Sequence, residues 1–375
     1  TTEIYTLSLH DALPILLNIP CFRLHNQQIA GTGCGDPGEL VKYFLAMQAQ
    51  DHAGSKWSIG VRLPDATDAD VEKAIADRAI VRTWLMRGTL HFVAAEDIHW
   101  LLGLVAPRII AGSATRHQQL DLDNGTFAHC KDIFSNALQG GKQLTRSDMY
   151  ALLEKAHIST TGQRGYHILW WAALEGLICF GPQDGKQQTF VLLDEWVPKK
   201  KILGRDQALA ELARRYFTSR GPATLQDFVW WSGLKITEAR AGLLAVASEL
   251  EQFAVDGQIY WMPSDTANVF EKMQRIYLLP GFDEYMLGYK DRTAILDPQY
   301  VHKILPWNNG MFSSTIVMDG RIAGTWRRTF KRGAVIITPQ PFVEFTEKEL
   351  GQFSAAAGHY GRFLGMPVII SEVSI

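Results

Sequence analysis

The same order of predicted elements occurs twice in this chain, about 80 residues apart, and this repeat constrains the fold more than any other feature. In the first copy, three helices precede two apolar runs, predicted at 126–138, 145–156, from Gly162, 177–180 and 189–193. In the second copy, the same elements are predicted at 208–217, 224–231, 237–250, 251–255 and 258–261. An Asp-Gly pair separates the apolar runs in both copies, which is a strong hairpin signal. Each copy therefore predicts three helices and a two-stranded wing, the order of a winged helix.

The sequence on either side of the repeat completes the predicted architecture. A degenerate first copy is predicted within 36–105, with strands at 57–62 and in the second half of 81–93. From Leu278 the sequence changes to strand-like runs, followed by a helix around 346–364. We predict an α+β chain of three tandem winged-helix units followed by a small β-rich C-terminal domain. The predicted ranges are 1–35 (leader), 36–108 (unit 1), 109–203 (unit 2), 204–277 (unit 3) and 278–375 (C-terminal domain).

A Trp-Trp pair lies in each clear copy of the repeat, at 170–171 and at 230–231. The two pairs fall on different helices of their copies, so they are not a signature of the repeat. Large aromatic side chains dominate the burial of apolar surface. We therefore interpret both pairs as core anchors.

Composition limits the possible functions of the chain. Its 375 residues are 47% hydrophobic and 20% charged, as in a globular protein, and the net charge is -2. DNA binding would therefore need a local basic surface. The four cysteines include no C-x-x-C pair, so we predict neither a disulfide framework nor a zinc site. No apolar run is long enough to span a membrane. We expect a cytoplasmic monomer without a metal or a cofactor.

The first residues need separate treatment. The stretch from Thr1 to about Ile15 resembles a translated sequencing-adapter sequence that recurs at the ends of gene models, and we exclude it from the fold predictions. The mixed, glycine-rich text at 16–38 is not followed by the Lys-Ser/Thr pair of a phosphate-binding loop. We interpret it as a flexible linker.

The stretch 47–54, Met-Gln-Ala-Gln-Asp-His-Ala-Gly, closes a predicted helix that begins at Asp36 and Pro37. Residues two positions apart do not face each other on a helix. For Gln48 and Gln50 to act on one small target, the chain must therefore turn out of the helix there. A solvated helix end is the plainer interpretation of these residues taken alone.

Basic and acidic residues elsewhere suggest further sites, each with a structural alternative. Basic residues gather in three groups: Arg78, Arg82 and Arg87; Lys199 to Lys201; and Arg321, Arg327, Arg328, Lys331 and Arg332. Together with Trp84 and Trp326, two of these groups suit a groove that holds phosphates and stacks bases, although solvated loops explain them as well. Asp283 can be a buried general base, but we favour a role in capping a turn. His91 is more often a hydrogen-bonded core histidine than a catalyst.

Five segments together resemble the bacterial winged-helix DNA glycosylase family that includes AlkZ and YcaQ: 47–51 (MQAQD), 81–91 (VRTWLMRGTLH), 230–234 (WWSGL), 278–285 (LLPGFDEY) and 320–328 (GRIAGTWRR). The resemblance covers about residue 36 to the C-terminus. It implies three tandem winged-helix units, a β-barrel-like C-terminal domain and double-stranded DNA as the partner. The motif Gln48-Ala49-Gln50 resembles the Gln-x-Gln motif of the AlkZ-like branch.

The resemblance implies a monofunctional glycosylase that excises N7-alkylated purines, and in some members unhooks interstrand crosslinks. It makes Gln48 and Gln50 the expected catalytic residues. Other residues are expected to bind DNA (Arg82, Arg87, His91, Arg327, Arg328 and Trp326) or to act as auxiliary carboxylates (Asp51 and Asp283). A glutamine amide is a negligible base, but an N7-alkylguanine is already cationic and leaves readily. The enzyme then needs mainly a placed water and a dipole that faces the developing positive charge.

Two other functions fit the same architecture. A non-catalytic winged-helix transcriptional regulator would bind duplex DNA selectively and release no base. A protein-interaction scaffold would show no salt-dependent DNA binding. The paired glutamines and the C-terminal segment rich in Arg and Trp favour the enzyme, and the net charge of -2 counts slightly against it.

Overall fold

The computed structural model describes residues 19–31, 33–264, 276–306 and 310–371. The adapter-like stretch predicted at 1–15 lies outside the described residues. The described helices are α1 (19–26), α2 (Pro37–Phe44), α3 (His52–Gly60), α4 (Asp68–Ala76), α5 (Ile98–Gly112), α6 (Ala114–Gln119), α7 (Asn124–Leu138), α8 (Arg146–Lys155), α9 (Arg164–Leu174), α10 (Leu193–Trp196), α11 (Arg205–Arg220), α12 (Leu225–Ser232), α13 (Ile236–Val246), α14 (Glu284–Leu287), α15 (Val301–Ile304) and α16 (Glu347–Leu364). None of them combines the length and the apolar character that a membrane crossing needs.

The described strands are β1 (Ala46–Gln48), β2 (Ile80–Trp84), β3 (Leu90–Ala94), β4 (Leu144–Thr145), β5 (Ile178–Phe180), β6 (Thr189–Leu192), β7 (Ala223–Thr224), β8 (Leu250–Val255), β9 (Gln258–Pro263), β10 (Ile276–Leu279), β11 (Thr315–Met318), β12 (Arg321–Lys331), β13 (Ala334–Pro341) and β14 (Val368–Ile370). Helices and strands alternate irregularly along the chain, which confirms the predicted mixed α+β class. The chain divides into two compact units. The first holds the described residues up to Val71 and from Leu209 onwards, and the second is Glu72–Ala208.

The first unit contains two sheets. A three-stranded sheet has the order β7-β9-β8, and a five-stranded sheet has the order β10-β11-β12-β13-β14. The five-stranded sheet is a curled half-barrel, antiparallel except where β14 pairs parallel to β13. Two buried indoles fix its first strand, because Trp57 donates to the Leu278 carbonyl (2.7 Å) and Trp326 donates to the Leu279 carbonyl (2.8 Å).

The second unit has strands in the order β3-β2-β5-β6-β4, antiparallel throughout, with helices α5 to α9 in the same unit. Both copies of the predicted repeat show one topology. A short strand follows the first helix and pairs with the last strand of the hairpin, β4 with β6 in one copy and β7 with β9 in the other. The helices and the hairpin therefore have the predicted order in both copies.

Local chemistry explains why these elements begin and turn as predicted. Thr145 with Asp148, and Thr224 with Asp227, form the reciprocal hydrogen bonds of a capping box at the starts of α8 and α12. Asp256 and Gly257 both have positive φ, 48° and 75°, as a two-residue type I′ hairpin turn requires.

Three predictions near the N-terminus are wrong. Residues 19–26, predicted as linker, are helical, and Ile19 and Phe22 pack in a buried cluster with Phe253 and Tyr260. The helix predicted to reach residue 50 ends at Phe44, because Leu45 has a φ of 65° that a helix cannot continue. The strand predicted at 57–62 is instead the C-terminal part of α3 and the turn after it.

Candidate active site

The two glutamines of the motif lie on a strand and the bend that follows it. Asp36 caps α2 by accepting from the Glu39 amide (2.9 Å), as predicted, and the chain leaves the helix at Leu45. Gln48 ends β1 and is 7% exposed, whereas Gln50 is exposed. The turn out of the helix that joint action of the two glutamines requires is therefore present, although it occurs earlier than predicted.

A buried carboxylate holds the backbone of this strand. Glu284 at the start of α14 accepts from the Gln48 amide through Oε1 (2.8 Å). Its Oε2 accepts from Nε and Nη2 of Arg220 (2.9 and 2.7 Å) and from the indole of Trp231 (3.0 Å). The side chains of Arg220 and Glu284 are 0% and 2% exposed, so this is a fully buried ion pair. A buried charge is tolerated when it is paired and its remaining lone pairs and protons are hydrogen-bonded.

The same arginine binds two carbonyls that precede the motif. Arg220 donates through Nη1 to the Phe44 carbonyl (3.0 Å) and through Nη2 to the Ala46 carbonyl (2.7 Å). Its guanidinium also lies over the Trp231 ring, 4.3 Å from the centroid. Backbone groups of the segment from Phe44 to Gln48 are thus held by one ion pair.

A second buried ion pair lies one residue away in the sequence. Asp283 accepts hydrogen bonds from both terminal nitrogens of Arg62 (2.8 Å each) and from the Ser58 hydroxyl. It also caps α14 by accepting from the Tyr285 amide (2.8 Å). Burial alone would raise the pKa of Asp283, but the charge and hydrogen bonds of Arg62 outweigh it and lower this pKa. A carboxylate held ionised by an arginine is a poor general base. The cap that we favoured from the sequence is confirmed.

Asp51, the carboxylate next to the motif, is bound by an arginine on β12 of the five-stranded sheet. Asp51 Oδ2 accepts from Nη2 of Arg328 (3.1 Å), whose Nη1 donates to the Tyr360 hydroxyl (3.0 Å). The Asp51 side chain is 43% exposed and reaches over Gly54, where a Cβ would lie 2.4 Å from the carboxylate oxygen. The structure therefore brings two predicted residues, Asp51 and Arg328, together beside Gln50.

Other residues predicted for DNA binding are placed differently. Trp326, on the five-stranded sheet, is 2% exposed and packs edge-on to Tyr360. The prediction that a base stacks on its ring is therefore wrong. Its neighbour Arg327 points outwards and is exposed, because side chains alternate along β12. A phosphate contact is compatible with Arg327 and incompatible with Trp326.

Three predicted DNA-binding residues lie in the second unit. Arg82 is buried, donates to Gln188 (2.7 Å) and lies over the Phe180 ring, 4.8 Å from its centroid. His91 is fully buried, with Nδ1 2.9 Å from the Thr89 carbonyl, as the core alternative states. A surface role in DNA binding is therefore wrong for both.

Arg87 is the half-buried member of this group. It lies in the loop between β2 and β3 with a φ of 56°, where few residues other than glycine occur. Trp84, predicted to stack a base, is 1% exposed and packs against Phe180 and Phe190. The ring belongs to the core of the unit.

Sequence reasoning missed Arg220 entirely and named Trp231 only as a core anchor. Arg220 ends α11, 64 residues before Glu284, and no local pattern marks it. Glu284 lies in the segment 278–285 that carries the family resemblance, but the sequence predicts no role for it. Within the described residues no group of three or more His, Cys, Asp or Glu is arranged to hold a metal ion.

Comparison with known proteins gives the family of the chain. A family model described as DNA glycosylase AlkZ-like matches residues 41–363. The interstrand DNA cross-link repair glycosylase of Streptomyces sahachiroi is 25% identical over 350 residues, which are 85% of this chain and 90% of that protein. The structure of Streptomyces sahachiroi DNA glycosylase AlkZ has a TM-score of 0.78 over 95% of this chain and 99% of that one, at 23% identity, and shows the same fold. The chain belongs to the AlkZ-like DNA glycosylase family.

Proposed function

We propose that this protein hydrolyses the N-glycosidic bond of N7-alkylated purines in double-stranded DNA and unhooks interstrand crosslinks at such bases. Family membership supports the reaction class. The proposal of substrate and mechanism rests on the placement of the motif: Glu284 binds the backbone of the strand at Gln48, and Gln50 is exposed. A crosslinked base is tied to the other strand and cannot swing into a deep pocket. An exposed catalytic group can reach it.

The chemistry follows from the residues available. A glutamine carbonyl oxygen accepts hydrogen bonds but does not take up a proton at neutral pH. The leaving group is already cationic, so a strong base is not needed. Gln50 positions the attacking water, and Gln48 supports this water or the sugar. Their carbonyl dipoles face the positive charge that develops on the sugar.

Asp51 is an auxiliary residue in this proposal. Its carboxylate follows Gln50 directly and adds negative charge beside the reacting sugar, and Arg328 fixes its position. Asp283 is left out of the catalytic set because Arg62 and Ser58 occupy both of its oxygens. The arginines kept as phosphate contacts are Arg87 and Arg327.

The scaffold is part of the proposal. The two copies of helix, short strand, two helices and hairpin are proposed as winged-helix units at 109–203 and 204–277, with a third at 36–108. We propose that the protein acts as a monomer. The regulator alternative gains no support from α13, because its exposed residues include the apolar Leu244, 64% exposed, and the acidic Glu249 follows the helix.

The test is single-turnover release of base from a duplex with one N7-methylguanine, run beside a nitrogen-mustard crosslinked duplex. Gln48→Ala and Gln50→Ala should each lower the rate without weakening DNA binding, by about 100-fold or more for the residue that places the water. Arg82→Lys is a matched control, since Arg82 is buried in the second unit. Salt-dependent binding without release by the wild type would favour the regulator instead, and normal rates in both glutamine variants would remove the motif from the mechanism.

A further inference from the structure

We propose that Arg220 and Glu284 are positioning residues for the glycosylase reaction, acting through the backbone of the motif strand. The inference deepens the proposed function and rests on it. Neither side chain reaches the surface where Gln50 is exposed, so neither is placed to touch DNA. Their role is to fix where Gln48 and, through the chain, Gln50 stand.

The geometry of the contacts supports a positioning role. Ala46 and Gln48 are two residues apart on β1, so their backbone groups point to the same side of the strand. The ion pair binds both, with Arg220 on the Ala46 carbonyl and Glu284 on the Gln48 amide. A donor and an acceptor of opposite charge thus fix the register of the strand that leads into the motif. A shift by one residue would turn both groups away.

Burial indicates that the pair is kept for geometry rather than for stability alone. Replacing a buried ion pair by well-packed apolar residues is often neutral or stabilising. Here the charges are satisfied by contacts that converge on the motif and by Trp231, whose indole donates to Glu284 and whose ring lies under Arg220. Catalysis by placed dipoles loses about 100-fold in rate for a misplacement of about 1 Å. Control of the strand therefore matters to the reaction.

The neighbouring pair of Arg62 and Asp283 is a matched control. Arg62 is also fully buried, pairs with the residue next to Glu284, and lies 5.1 Å from the Phe44 ring centroid, where Arg220 lies at 4.9 Å. Its other donations go to Gln27 and Ser58 and not to the segment 44–48. The two arginines differ in what they hold, and they match in burial and pairing.

The experiment compares Arg220→Lys with Arg62→Lys in the full chain. Each variant keeps the charge and loses the forked geometry. We expect both to unfold at lower urea, and both to keep the wild-type Kd for the N7-methylguanine duplex. Arg220→Lys should slow single-turnover release at saturating enzyme by about 10- to 100-fold. Arg62→Lys should change that rate by less than about threefold. Equal losses of rate would reduce the ion pair to a structural role and overturn the proposal.

A second readout separates this proposal from the proposed function. Amide hydrogen exchange of the segment 44–50 should be about tenfold faster in Arg220→Lys than in Arg62→Lys under native conditions. If the wild type released no base, the glycosylase proposal would fail, while unequal exchange would still show that the pair fixes the strand and equal exchange would refute it. Should Arg220→Lys not fold, Trp231→Phe is the alternative, because it removes one donor from Glu284. It is expected to slow base release and to speed amide exchange of the segment 44–50.

Discussion

The Trp-Trp pairs of the two repeats anchor different kinds of group. In the second unit, Trp170 on α9 donates to the Gly88 carbonyl (2.9 Å) in the loop that carries Arg87. In the first unit, Trp231 on α12 donates to the carboxylate of Glu284 (3.0 Å), which holds Gln48. One indole thus donates to an uncharged backbone carbonyl, and the other belongs to a buried charged network.

The two copies therefore share a topology, but their equivalent residues have different hydrogen-bond partners. The capping aspartates show the same contrast. Asp148 is exposed, and within the described part of the chain its carboxylate bonds only to Thr145, inside its capping box. Asp227 is 1% exposed, and its second oxygen also accepts from the amides of Lys290 and Asp291 (2.8 and 3.2 Å). The copy in the first unit is tied to the segment that follows Glu284, whereas Asp148 serves its own helix.

The capping aspartates give the largest expected difference. Asp227→Ala should lower the free energy of unfolding by about 3 kcal/mol, because several buried donors lose a charged acceptor at once. Asp148→Ala should cost clearly less, since water replaces the lost carboxylate at an exposed helix start. Urea denaturation of both variants measures the two losses. Equal losses would mean that the extra bonds of Asp227 add nothing, and the contrast between the copies would fail.

The two indoles give a smaller difference. Trp231→Phe removes a hydrogen bond to a charged group and should cost about 2 kcal/mol from that bond, whereas the bond lost in Trp170→Phe is between neutral groups and should cost about 1 kcal/mol. Both variants lose the same ring volume, so the difference between their urea midpoints isolates the acceptor. Trp170→Phe should also speed amide exchange at 85–89, and Trp231→Phe should not. The reverse pattern would mean that Gly88 is held by other contacts.

The sequence predicted those features whose cause is local. The Asp256-Gly257 turn needs only two residues with positive φ, and the capping boxes need only residues three positions apart. The alternation along β12 also suffices to place Trp326 and Arg327 on opposite faces of the sheet, and this pattern already argues against a base-stacking role for Trp326.

The failed predictions have causes that lie far away in the chain. Helix α3 is buried at every residue from Gly54 to Gly60, including the polar Ser55, Lys56 and Ser58, so its sequence does not alternate between a buried apolar face and an exposed polar face. The break at Leu45 is held by Arg220, which lies about 175 residues away and binds the carbonyls on both sides of it. A single sequence shows neither the burial nor the ion pair. The sequence therefore reveals the motif, but it does not reveal the ion pair of Arg220 and Glu284 that fixes the backbone of the motif.

Histidines beside tryptophans extend the comparison and give the smallest effect. His359 on α16 lies edge-on to Trp57 (5.0 Å between ring centroids), and His117 lies edge-on to Trp170 (5.8 Å). Burial lowers the pKa of both, and with the nearby Arg362 it lowers the pKa of His359 to about 4. The folded state therefore disfavours the charged form of His359 more than the unfolded chain does.

The sign of the pH dependence follows directly. Between the unfolded pKa of about 6.5 and the folded value, the unfolded chain binds more protons, so stability falls as the pH falls. From pH 7 to pH 6, His359 should cost less than about 1 kcal/mol. His359→Phe keeps an aromatic ring beside Trp57 and cannot titrate, so its urea midpoint should fall less over this range than that of the wild type. Identical slopes would show that His359 is protonated as easily in the folded protein as in the unfolded chain, and that the aromatic contact does not keep it neutral.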